Sequence, residues 1–393
     1  KRCEIDILSK HEHEGFYSEF EYPVNWNPSF VYEVEFPVSI SGMTYKEYRI
    51  VPVASKTNFF EGFPVYEQKE ITAETLQNGH LKVSVNSQGS INLEGRDGTA
   101  VIPDAVKVLW EQDKGDTYTS SPVKGSGEWG VLNNISSIRH NRYSASCTLQ
   151  FRGPDNSLAE LLLVLNDFEE MLHIDLSIHN RKKNSRVRLI LGQPGDSRVS
   201  RSDTPFDIVE REHKHIQPPA YIPQREVYPN EWPSSSIIEA AGISVCHNGF
   251  HGYDLFYDGR LAVNLVRSVG MLSKGPLPER GGGAGPHFET PEAQMDQTVT
   301  GSVGIQLGVF NSPVHAGIFF RNQPICAQGT AVENSGLAAQ GGLKFQLPDS
   351  RIIVSALYRI TKKKIFIRVW NSSDSQITFN PELSEATAIF GYT

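Results

Sequence analysis

Cysteine is scarce in this chain: four residues in 393 (Cys3, Cys147, Cys246 and Cys326), far apart and without a CxxC pair. That argues against a disulfide or metal framework and reads as free thiols in a reducing compartment. Long apolar runs are missing too. The longest candidate, LAELLLVL from Leu158 to Leu165, falls far short of the ~20 residues a membrane span needs. Basic blocks are limited to Lys362–Lys364, and the net charge of −8 is spread without single-sign stretches. Such a surface does not suit nucleic acid. No segment carries a 3.6-residue apolar stripe longer than two turns, and no GxSxG, P-loop or dinucleotide fingerprint occurs.

What remains is a chain built for strands. Hydrophobic residues make up 39% and aromatics 10%, enough for sizeable cores, and the length fits roughly two or three structural units. In LQNGHLKVSVNSQGSINLEGRDG the residues Leu81, Val83 and Val85 alternate against Ile91 and Leu93. With Asn86 and Gly89 between them this is a hairpin. AVKVLWEQ, SASCTLQF, LAELLLVLNDF, MLHIDLSIHN, RVRLILGQP and FDIVERE continue the pattern, followed by GISVCHNG, HGYDLFYDG, LAVNLVRSVG, SVGIQLGVF, HAGIFF, RIIVSALYRI and IFIRVWNSS. Many short strands with turn signals about every 8–12 residues predict an all-β sandwich. Phe30–Ile40 and the YKEYRIVPV segment after Ser41-Gly42 predict a small β unit or hairpin ahead of it. The predicted boundaries are a small β domain over 1–65 and a large β supersandwich over 66–393. Residues 212–236, rich in Pro, Tyr and Trp, read as a long surface connection.

Two loops stand out. The stretch from Arg267 to Gln294 leaves a strand and carries Gly281, Gly282, Gly283 and Gly285 among four prolines. Glycine lets backbone approach a neighbour closely while proline stiffens the flanks. Arg267 and Arg280 bracket its first half, and the planar guanidinium fork suits vicinal hydroxyls or carboxylates. The second loop, DKGDTYTSSP from Asp113 to Pro122, follows a strand end. Asp116 and Tyr118 could hydrogen-bond sugar hydroxyls, or the aspartates could simply close an Asx-type turn. Asp116 with Glu289 or Glu292 would supply the two carboxylates that glycoside hydrolysis needs, but their spacing favours them over no other acids, so no nucleophile is nominated. HEHE at His11–Glu14 is not HExxH and lacks a third ligand nearby, so it reads as a polar patch. His173 and His179 sit on the polar face of a strand and receive no role.

The ordered succession of LQNGHLKVSVNSQGSINL, DKGDTYTSSP, DFEEMLHIDLSIHNRKKNSRVRL, FDIVERE, NEWP, LAVNLVRSVGMLSK, ERGGGAGPHFETPEAQ, IIVSALYRI and FIRVWNSS resembles the C-terminal β half of glycoside hydrolase family 38. These are the α-mannosidases, and the bacterial branch that includes mannosylglycerate hydrolases is the nearest likeness. The resemblance implies a supersandwich of the kind shared with galactose mutarotase, a retaining mechanism, and a zinc ion gripping the sugar. In that family the zinc and the aspartate nucleophile belong to an N-terminal catalytic domain, and this chain carries no HHD-type zinc segment. It therefore implies no catalytic residue and no metal ligand in this chain, and substrate-binding roles for Tyr118 and Arg280, with Asp116 a further candidate. The implied partners are a mannose-containing oligosaccharide or mannosyl glycoside and the chain's own N-terminal catalytic domain. A homodimer is allowed, neither nucleic acid nor membrane is expected, and the implied location is the bacterial cytoplasm. The rival readings are a non-catalytic carbohydrate-binding or assembly module, for which Trp110, Trp129, Trp232 and Trp370 are available but not clustered, and a mutarotase-like epimerase, for which no His/Glu spacing speaks.

Overall fold

The computed structural model describes residues 6–13, 29–38, 44–46, 75–192 (apart from 87, 99 and 137), 198–213 and 231–324 (apart from 257), then 340–342, 345–346, 349, 351–361, 364–378 and 382–383. These residues form an all-β protein dominated by two antiparallel sheets. The larger runs, edge to edge, through Arg139–His140, Ser144–Arg152, Leu158–Asn166, Met171–His179, Thr298–Leu307, Ile243–Asn248, Ile237–Ala240, Val199–Thr204 and Asp207–Glu212, with Val131–Ile135 also on Ser144–Arg152. The smaller runs through Trp232–Pro233, Gly252–Leu255, Leu261–Ser268, Ser185–Leu191, Val101–Gln112, Ile91–Gly95, Leu81–Val85 and Thr75–Gln77.

Alternation in the sequence becomes alternation in burial. In Leu158–Asn166 the side chains of Ala159, Leu161, Leu163 and Leu165 are buried while their neighbours are not. The same period places Leu172, Ile174, Leu176 and Ile178 inward on the next strand. Opposite them, Val83, Leu93, Val187, Leu189 and Val263 come from the smaller sheet, and all belong to one continuous core. Each fully buried Leu contributes about 1.5–3 kcal/mol relative to exposure. The predicted hairpin is present, with Leu81 opposite Gly95 and Val85 opposite Ile91. Asn86 Oδ1 accepts the amides of Gln88 and Ser90, and Gly89 takes the positive φ of 79° that the turn requires.

One strand reading is corrected. HAGIFF lies in the nine-residue helix Pro313–Arg321, not in a strand. Pro313 suits a first helical turn, and Val314, Gly317 and Phe320, three apart, form its buried side. Phe320 there packs with Ile237 and Cys246. Ahead of the two large sheets, short strands stand at Ser29–Glu35 and Thr44–Lys46, where a small β unit or hairpin was expected, and the Ser41-Gly42 turn between them lies outside the described residues. Ser29–Glu35 pairs with Asp6–His13, and Thr44–Lys46 pairs with Gln340–Gly342. The side chains of the His11–Glu14 patch, most of the 212–236 connection, Cys3 and Cys326 lie outside the described residues. Cys147 and Cys246 are free and buried, and burial pushes both thiols up to about 12. Among the described residues no helix is long and apolar enough to cross a membrane.

Leu163→Ala should cost about 2–5 kcal/mol of unfolding free energy. Leu162→Ala, one residue along and only partly buried, should cost less than about 1 kcal/mol. Denaturant titration of both variants checks the facing of this strand.

Candidate functional site

The two loops singled out from sequence meet. They leave strands Val101–Gln112 and Leu261–Ser268, which flank Ser185–Leu191 in the smaller sheet. Directly past the first strand, Asp113 is 0% exposed. Its carboxylate accepts the amides of Gly115 (2.7 Å) and Ser121 (2.9 Å), and Arg267 Nε donates to it at 2.6 Å. Arg267 Nη2 also donates to the Thr119 carbonyl at 2.9 Å. Burial alone would raise the Asp113 carboxyl, but Arg267 and the backbone amides hold it below the usual aspartate range.

Asp116 repeats the arrangement three residues on. Oδ1 accepts the amides of Tyr118 (3.0 Å) and Thr119 (2.9 Å), which is the Asx turn. Oδ2 accepts the Lys274 amide at 2.7 Å and Arg280 Nη2 at 2.6 Å. The guanidinium of Arg280 is 5% exposed and its donors are all engaged: Nε on Gly282 O, Nη1 on Thr119 Oγ1 and Asp116 Oδ1, Nη2 on Asp116 Oδ2 and Lys274 O. Arg280 therefore faces Asp116 inside the loop pair, with no donor left for an outside ligand. Asp116, 0% exposed, is pushed up by burial but held at about 2 by Arg280 and the three amides. A carboxylate so enclosed cannot act as a general acid or attack a substrate.

Tyr118 differs from its two companions: its side chain is 57% exposed. The structure thus brings Asp116, Tyr118 and Arg280 together, with two buried in each other and one presented outward. Glu289 and Glu292 are exposed on the same loop. Further polar groups complete the assembly. Asn184, at positive φ, receives the Asp113 amide on its carbonyl, and its side-chain oxygen accepts from the Gly270 amide and Gln294 Nε2. Beneath lies a buried charged row on the same sheet. Arg186 bonds Glu111 at 2.8 Å and also pairs with Glu231, while Arg188 bonds Asp254 at 2.7 Å. Arg186 Nη1 reaches Ser120 Oγ at 3.4 Å and so connects this row to the first loop. The Asx turn at Asp116 is legible locally, but the ion pairs are not, because Arg280 and Asp116 are 164 positions apart. Among the described residues no group of three or more His, Cys, Asp or Glu is placed to hold a metal ion. Zinc has no ligand set there.

No protein-family model and no curated protein matches the chain. Among solved structures it is similar to an α-mannosidase from Enterococcus faecalis V583, with a TM-score of 0.69 at 15% identity over 96% of this chain. A glycosyl hydrolase family 38 protein from Enterococcus faecalis gives 0.71 at 15% identity over 98%. The likeness is one of fold. The chain spans 45% and 47% of those two proteins.

Asp116→Asn should destabilise the protein by about 3–5 kcal/mol, because it strands a buried guanidinium. The folded pKa of Asp116 lies below the unfolded value of 3.8, so its contribution is complete above that value and is lost as pH falls through about 2. Unfolding midpoints of the parent and the variant should accordingly stay a constant distance apart near neutrality. They should converge in acid below pH ~4.

Proposed function

We propose that this chain is the β-rich part of a retaining α-mannosidase-like glycoside hydrolase, and that its paired loops form one wall of a site for α-mannosides. Nucleophile and zinc belong, in this reading, to another part of the full-length protein. The observation that carries it is the build of the loop pair on a fold shared with the two Enterococcus faecalis proteins. An internally satisfied base presents one exposed phenol, that of Tyr118, which lies against Gly285. A tyrosine hydroxyl both donates and accepts, which suits a sugar hydroxyl. Asp116 and Arg280 join the wall as its inner clamp: they set the path of the backbone on either side of Tyr118. The row Glu111, Arg186, Arg188 and Asp254 anchors the strand ends from below.

Tyr118 binds and orients. Arg280 and Asp116 fix the loops, and Arg267 with Asp113 fixes the strand ends from which the loops depart. The rival reading, a carbohydrate-binding module, wants an aromatic platform. Among the described tryptophans Trp110 is fully buried in the core and only Trp129, at 44% exposure, offers much ring.

Tyr118→Phe in the full-length protein should lower kcat/KM on an aryl α-mannoside by about 5- to 150-fold, the value of one hydrogen bond of ~1–3 kcal/mol. Thermal stability should stay unchanged, since the ring is exposed. An unaltered kcat/KM would remove Tyr118 from the site. Strong calorimetric binding of manno-oligosaccharides by the chain without its catalytic partner would favour the binding module instead.

A further inference from the structure

Met271–Lys274, the first part of the second loop, lies between the first loop and the rest of the second and bonds to both. On one side Thr117 donates from its amide to Met271 O at 3.2 Å and from its hydroxyl to Leu272 O at 2.7 Å. On the other side the Leu272 amide donates to Phe288 O at 2.8 Å. Ser273, 0% exposed, is the residue that reaches into the glycine run. Its Oγ accepts the amides of both Ala284 and Gly285 at 3.1 Å, and its own proton is directed at Lys274 O, 3.2 Å away. One hydroxyl thereby satisfies two consecutive backbone donors and fixes where the run passes.

Tyr118 rests at that place. A Cβ built on Gly285 would lie 3.2 Å from the Tyr118 hydroxyl oxygen and 3.4 and 3.5 Å from two ring carbons. The phenol therefore lies against bare backbone, and a methyl group there would press on it. The Asp116–Arg280 clamp bonds the backbone to either side, at the Tyr118 amide and the Gly282 carbonyl. An exposed side chain gives little binding energy when its rotamer must be frozen on contact, and more when it is held in advance.

We propose that Ser273 and Gly285 are positioning residues for Tyr118. The serine sets the height of the loop, and the glycine leaves the seat in which the ring lies ready for a pyranoside hydroxyl. This rests on the reading of Tyr118 as a sugar-contacting group, so two separate measurements are needed. In the full-length protein carrying 3-fluorotyrosine, the Tyr118 resonance is assigned by its loss in Tyr118→Phe. It should shift in both Ser273→Ala and Gly285→Ala; an unmoved resonance in both overturns the positioning role whatever the kinetics show. On an aryl α-mannoside, each variant should lose about tenfold in kcat/KM, as small misplacements do. In a Tyr118→Phe background neither should cost more than about twofold, because the benefit passes through the missing hydroxyl. Losses that multiply in the double variants overturn the proposal. A shifted resonance together with a silent Tyr118→Phe keeps the positioning of the ring and rejects only its contact with sugar.

Discussion

The candidate site depends on a carboxylate and a guanidinium buried against each other across two loops. Neither Asp116 nor Arg280 could be carried inside the fold alone, because desolvating a single charge costs several kcal/mol even after relaxation. Together, and with three amides, a threonine hydroxyl and two carbonyls filling the remaining valences, they form a satisfied unit. The same chemistry recurs at Asp113 and Arg267, nearer the strand ends. Two pairs in series make the loops a single body.

That body stands on an unusual strand. Ser185–Leu191 is buried along its whole length, although Val187, Leu189 and Leu191 point to the core and Arg186 and Arg188 point away. Burial of the outward face is tolerated because Glu111, Glu231 and Asp254 meet the two arginines. Burial lowers the Arg186 pKa, but its neighbouring carboxylates outweigh this and raise it above the ordinary value. Arg188 also lies over the Phe256 ring at 4.3 Å. Charge pairing thus runs from the middle of the sheet to the loop tips.

The two Enterococcus faecalis proteins share this architecture at 15% identity. A sandwich core tolerates wide exchange of apolar residues as long as volume and alternation persist. The loops are under tighter constraint, since each buried polar atom needs its own partner. The paired loops thus form an internally bonded surface that carries the exposed Tyr118.

Period-two alternation made the fold class legible, because each strand of a sandwich must turn one face to the core and a local pattern therefore reports a global fact. It was legible at Leu81–Val85, at Leu158–Asn166 and at Met171–His179. It misled at HAGIFF, where a short apolar run fits either period and packing on Ile237 and Cys246 chose the helix. The loops were visible as glycine, proline, aspartate and arginine in suggestive company. Their electrostatics were not. The sequence by itself determined that the chain is a β sandwich and that two loops carry special chemistry. Only the tertiary structure decided that Arg280 turns inward to Asp116 and that Ser273 lies beneath the seat of Tyr118, because the partners of a buried charge are chosen by strand order and not by distance along the chain.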